Sequence, residues 1–147
     1  MKPIRILLAE DNEGDILLIQ DSFSDAKVAI QMDVVKNGEK AIEYLQDKST
    51  EHRLPDIVLL DINLPRKSGI EVLKFVKLSD ELKHIPVIIL TTSSSEKDIN
   101  EAYDNYVNCY ITKPVSADKF IEVVSKIEDF WISIVKLPVA NEAYKRS

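Results

Sequence analysis

An α/β fold is predicted for this chain: a five-stranded parallel sheet with helices on both faces. Two observations carry the prediction. Short apolar runs alternate with stretches of three-and-four apolar spacing along the 147 residues, the pattern of repeated strand–helix–strand units. Three of those runs are nearly unbroken Val, Ile and Leu, as strands covered on both sides are.

The elements follow in order. IRILLA (4–9) is a strand ending in the acid pair Glu10-Asp11, and Asn12 with Asp15 caps the next helix. That helix places Ile16, Ile19, Phe23 and Ala26 on one face. IQMDVV (30–35) alternates more, as a less buried strand near an edge does. Ala41, Ile42 and Leu45 mark a short helix before the polar loop DKSTEHRLP (47–55). DIVLLD (56–61) is the third strand, followed by a helix at Ile70, Leu73 and Val76; PVIILT (86–91) is the fourth. Ser95 with Asp98 caps a helix marked by Ile99, Ala102, Tyr103 and Tyr106, and CYIT (109–112) is the fifth strand. From an N-cap at Ser116, Phe120, Val124, Ile127, Trp131 and Ile134 form one stripe, widened by Val123, Phe130 and Leu137. The last helix is therefore prolonged. Residues 1–137 read as one domain and 138–147 as a polar tail.

Composition narrows the function. A net charge of −6 argues against nucleic acid held on a broad basic face. One cysteine permits no intramolecular disulfide, and no Cys/His cluster has zinc spacing. Neither a signal peptide nor a membrane span is legible, so the expected location is the cytoplasm.

In such sheets the working residues lie at the carboxyl ends of the strands. Glu10-Asp11, Asp61, Thr91 and Lys113 are the first polar groups after the first, third, fourth and fifth runs. The set suits phosphoryl transfer onto a carboxylate. Asp61 would be the nucleophile. Asp11 and Asp61 would bind Mg²⁺ directly, with Glu10 acting through water. Lys113 and Thr91 would meet the remaining phosphoryl oxygens. A flavin or nucleotide carrier on a similar sheet is a competing class, but the turn AEDNEGD (9–15) would repel a phosphate. A hydrolase with an aspartyl-phosphate intermediate is another; it would place Asp two residues after Asp11, where Glu13 stands.

ILLAED, DIVLLDINLP, VIILTTS and CYITKP, in this order and spacing, resemble the receiver domain of two-component response regulators over Pro3 to Phe130. The resemblance implies a doubly wound, flavodoxin-like sheet in the order 2-1-3-4-5. It implies Asp61 as the phosphorylated residue, Thr91 as the switch hydroxyl and Lys113 as the phosphate-binding lysine. It adds the Asn63 backbone carbonyl as a third Mg²⁺ ligand, Tyr110 as the switch aromatic and a cis Lys113–Pro114 peptide. The phosphodonor would be the histidine of a sensor kinase, with output through phosphorylation-dependent protein–protein contact.

VNCYITK and IEDFWISIVKLP resemble, more narrowly, the single-domain regulators that partner bacterial phytochromes and related kinases. That implies a homodimer, here through a face including Phe130, Trp131 and Ile134; Trp131 is read equally as cover for the end of the core. Three positions depart from the commoner pattern. Thr92 stands beside the switch Thr where Ala or Gly is usual, Val107-Asn108 replaces a common Gly-Ala, and Pro114 is present where the narrower group often lacks it. Cys109 reads as a core thiol, and neither His52 nor His84 has a catalytic partner.

Overall fold

Side chains alternate along a strand, so a run such as Ile6–Ala9 must find apolar cover on two sides at once. The computed structural model, which describes residues 3–47 and 54–138, shows how it does so. The elements are β1 (Ile4–Ala9), α1 (Glu13–Ser24), β2 (Ile30–Val35), α2 (Gly38–Gln46), β3 (Ile57–Leu60), α3 (Gly69–Leu78), β4 (Val87–Thr91), α4 (Glu96–Asp104), β5 (Cys109–Thr112) and α5 (Ala117–Glu128). The strands form one sheet in the order β2-β1-β3-β4-β5, with every pairing parallel.

Leu7, Ala9, Val58, Leu60, Val87 and Ile89 face a core built with Ala41, Leu45, Ile70, Leu73 and Val76. Ile6, Leu8, Ile57, Leu59, Ile88 and Leu90 face the other, built with Ile16, Ile19, Phe23, Phe120, Val124 and Ile127. Each buried Leu or Ile contributes about 1.5–3 kcal/mol relative to exposure, so every central-strand residue holds a layer in place. β2 is an edge strand with none of its residues fully buried, as its alternating pattern predicts.

Helix starts share one device. Asn12, Asn37, Ser68, Ser95 and Ser116 each accept, through the side chain, the backbone N–H three residues on. α1 stops at Ser24, short of Ala26. α4 stops at Asp104, and of its expected stripe Ala102 is buried whereas Tyr103 and Tyr106 are 51% and 76% exposed. Tyr103 lies within α4 on its exposed side, and Tyr106 lies beyond a C-cap: the Val107 N–H donates to the Ala102 carbonyl and the Tyr106 N–H to that of Tyr103. Tyr106 takes the left-handed conformation that this cap requires, at φ 66°. Asn108, at the unusual Val107-Asn108 position, accepts through Oδ1 from the Val87 N–H (2.8 Å) and from Lys77 Nζ (2.9 Å). It ties the start of β4 to α3.

Two glycines let the loop after β3 lie against its neighbours. A Cβ on Gly69 would sit 2.2 Å from the Asp61 carbonyl oxygen, and one on Gly38 would sit 1.9 Å from that of Lys67. No side chain fits either place.

The prolonged last helix is present, but its final turns change pitch. Asp129–Ile134 form a π-helical segment, closed by the Val135 N–H on the Phe130 carbonyl (2.9 Å). The wider turn shifts the apolar face. Phe120, Val124 and Ile127 are buried as the spacing predicts, yet the next buried residue is Ile132, five positions on, while Ile134 is 61% exposed. No described helix is long and apolar enough to cross a membrane.

Candidate functional site at the carboxyl edge of the sheet

The strands are in register where they end: Ala9 lies opposite Leu60 and Thr91 opposite Thr112. Pairing persists one residue further. The Asp61 N–H donates to the Ala9 carbonyl (3.1 Å) and the Lys113 N–H to that of Thr91 (2.6 Å). Each functional side chain therefore leaves from backbone still held by its neighbour. Glu10, Asp61, Thr91 and Lys113 are the buried polar residues among those described, and the sheet gathers them from more than a hundred residues of sequence.

Lys113 is the hub. Its Nζ donates to Glu10 Oε1 (2.6 Å), Asp15 Oδ2 (2.9 Å) and Asp61 Oδ2 (2.9 Å). An ammonium has three donors, and all three are engaged. Burial alone would lower the Lys113 pKa, but the hydrogen bonds it donates to Glu10, Asp15 and Asp61 outweigh it and hold the group charged. Burial likewise pushes Asp61 up, and here too the partners prevail. The Asn63 N–H on Oδ1 (3.0 Å), the Thr91 hydroxyl and the Lys113 ammonium hold Asp61 below the usual carboxylate range, and so ionised. Glu10 goes the other way: desolvation raises it despite Lys113 and the Asn12 N–H on Oε2 (3.1 Å).

Glu10, Asp11 and Asp61 each offer a carboxylate oxygen, all within 4.8 Å of one another. Asp11 is exposed, on the solvent side of the pair. Hard oxygen donors this close, with a single lysine among the acids, suit a small divalent cation. Asn63 contacts the site through its N–H on Asp61.

Thr91 is fully buried, and a short chain of contacts leads outward from it. The Ser93 N–H donates to Thr91 Oγ1 (3.4 Å), while the Tyr110 hydroxyl donates to the Ser93 carbonyl (2.8 Å). Ser93 Oγ donates to Asp98 Oδ2 at 2.5 Å, tying the loop to the first turn of α4. Tyr110, on the edge strand, is thus joined to Thr91 through the backbone of a single residue, Ser93.

One site residue escaped the sequence reading: Asp15, assigned there only to the Asn12 cap. It makes that cap through its backbone N–H (2.9 Å) and turns its carboxylate to Lys113. One resemblance-based expectation is corrected. The described residues contain no cis peptide bond, so Lys113–Pro114 is trans. Trans is the lower-energy isomer of an X–Pro bond by about 0.5–1 kcal/mol, and Lys113 reaches its partners from it. His84 lies before β4, at the far end of the sheet from Asp61, and His52 falls outside the described residues. Cys109 packs on the second core, where burial raises its pKa. Thr92 is exposed and lines a cleft with Asp15, Lys113 and Ser116.

Away from the site, Phe130 and Ile134 are 50% and 61% exposed, and Trp131 is half-buried against the core. Phe130 and Trp131 meet edge to face at 5.7 Å. With Cys109, Ile111, Val123, Lys126 and Ile127 they line a groove of about 270 Å³.

Comparison with known proteins agrees with this geometry. Residues 6–125 match the model of the response regulator receiver domain. Response regulator Rcp1 of Synechocystis is 38% identical over 140 residues, covering 94% of this chain and 95% of Rcp1. The crystal structure of the phosphorylated cyanobacterial phytochrome response regulator RcpA superposes with a TM-score of 0.89 at 42% identity, over 93% of this chain and 99% of that one. The Mn²⁺-bound form of Rcp1 gives 0.90 at 37% identity, over 93% and 100%. A parallel sheet in 2-1-3-4-5 order, with Asp61, Thr91 and Lys113 gathered at its carboxyl edge, belongs to the response regulator receiver domains, a family of phospho-acceptor signalling proteins, and this chain is a member of it.

Proposed function

We propose that Asp61 is the phospho-acceptor, taking its phosphoryl group from the histidine of a sensor kinase. The observation that carries this is the Asp61 carboxylate itself: buried, held ionised, and bound at once by the Asn63 N–H and the Lys113 ammonium. In the transfer an Asp61 oxygen attacks phosphorus, the phosphorus–nitrogen bond breaks, and its electron pair stays on the departing imidazole. Mg²⁺, held by Asp11, Asp61 and the Asn63 carbonyl with Glu10 acting through water, would neutralise charge on a phosphoryl oxygen. Lys113 would exchange its Asp61 bond for a second oxygen, and Thr91 would donate to the third. That draws Thr91 towards Asp61, and the Ser93 peptide passes the movement to Tyr110. The Mn²⁺-bound form of Rcp1 supports a divalent ion as the cofactor, and the Glu10, Asp11 and Asp61 oxygens support this edge as its place.

Rcp1 is matched over nearly its full length, and RcpA is described as a phytochrome response regulator. These likenesses support a phytochrome-type kinase as donor and residues 1–137 as one receiver unit with 138–147 as a tail. They also favour a cytoplasmic place of work. The exposed Phe130 and Ile134 beside Trp131 support a homodimer through that face. Acetyl phosphate with Mg²⁺ should introduce an acid-labile, hydroxylamine-sensitive label on wild-type protein and none on Asp61→Asn. Equal labelling of the variant would remove Asp61 from the role.

A further inference from the structure

Asp15 has no task in the scheme above, although it sits as close to Lys113 as Asp61 does, at 2.9 Å. Its backbone N–H is fixed by the Asn12 cap, so the first turn of α1 aims the carboxylate at the ammonium. Its side chain is 26% exposed, against 2% for Glu10 and 8% for Asp61. It is therefore the partner of Lys113 that water can best accommodate.

We infer that Asp15 is a positioning residue that biases the site towards the cation and against the phosphoryl group. It takes one of the three protons on Lys113 and so leaves less of that charge for an incoming oxygen. Its carboxylate also lies across a single nitrogen from Asp61, where the added group carries about −1.5 to −2. Like charges so placed repel, well inside one screening length. The same charge attracts a divalent ion to Glu10, Asp11 and Asp61. Asp15 thus makes the empty site more dependent on metal and the phosphorylated site less stable than the other residues alone would make it.

The inference rests on Asp61 being the acceptor, and the test separates the two. Asp15→Asn keeps the size and an acceptor oxygen but removes the charge; Asp15→Glu keeps the charge. Mg²⁺ binding is followed by the amide NMR signals of Asn63 and Thr91, and beryllofluoride binding at saturating Mg²⁺ by ¹⁹F NMR. In Asp15→Asn the Mg²⁺ affinity should fall about threefold to tenfold while the beryllofluoride affinity rises by a similar factor. Asp15→Glu should return both towards wild type. A site merely loosened by the substitution would lose affinity for both ions together, and that result, or no change in either, overturns the inference. Wild-type protein that takes up neither ion would bring down the reading of Asp61, and this one with it.

Discussion

Replacing Lys113 with methionine keeps most of the side chain's length and removes the ammonium shared by Glu10, Asp15 and Asp61. Glu10 and Asp61 are left as carboxylates whose side chains are 2% and 8% exposed. Breaking a buried pair by removing one partner costs about 3–5 kcal/mol. Because Asp15 can rehydrate, the lower part of that range applies, about 3–4 kcal/mol near neutral pH without divalent metal. For a domain of this size that lowers the melting temperature by about 10 °C. The pH dependence has a definite sign. In wild type the depressed Asp61 contributes stability that is present above the ordinary carboxylate pKa and lost as pH falls through its folded value, while the raised Glu10 acts oppositely. Without Lys113 both carboxylates titrate higher, so the variant regains stability on protonation and its deficit narrows from pH 7.5 towards about pH 5. Mg²⁺ at about a hundred times its dissociation constant should restore about 2.7 kcal/mol. Urea and thermal unfolding at the two pH values, with EDTA or Mg²⁺, test all of this. A variant as stable as wild type at pH 7.5 in EDTA, or a deficit that widens on acidification, refutes the account of Lys113 as the counter-ion of the pocket.

Gly69→Ala should cost about 2–3 kcal/mol and slow acetyl phosphate labelling, because the new Cβ meets the Asp61 carbonyl oxygen at 2.2 Å; equilibrium unfolding and the labelling rate measure the two effects. Ile132→Ala should cost about 2 kcal/mol, whereas Ile134→Ala should change stability by less than about 0.5 kcal/mol. Urea unfolding that reversed this order would replace the π-helical segment with a regular α-helical continuation.

The site was legible because its rule is topological. Asp61, Thr91 and Lys113 each follow a buried run, and parallel strands bring such positions to one edge whatever lies between them. Asp15 was not legible as a site residue. A cap pattern specifies where its N–H goes but not where a carboxylate on a first helical turn will point. The apolar stripe of the last helix was legible as far as Ile127. Beyond it, spacing alone does not distinguish a turn of 3.6 residues from a wider one, and Ile132 took the buried place expected of Trp131 and Ile134. Tyr106 looks like a core residue by spacing and is not, because the helix is stopped before it by hydrogen bonds that no side-chain pattern encodes. The close approaches at Gly38 and Gly69 belong to pairs of elements, so neither glycine's surroundings announce them.

The cation that balances the pocket directly follows β5, an edge strand and the last of the five to be synthesised. During synthesis the acids of the first and third strands exist well before Lys113 has been made, and a partly assembled sheet carries them with no counter-charge of its own. Arrival of the final strand covers the free edge of β4 and cancels repulsion at the sheet's carboxyl end in one event. A chain cut before Cys109 loses both together, so in the proposed reading capacity to accept the phosphoryl group reports that assembly is finished.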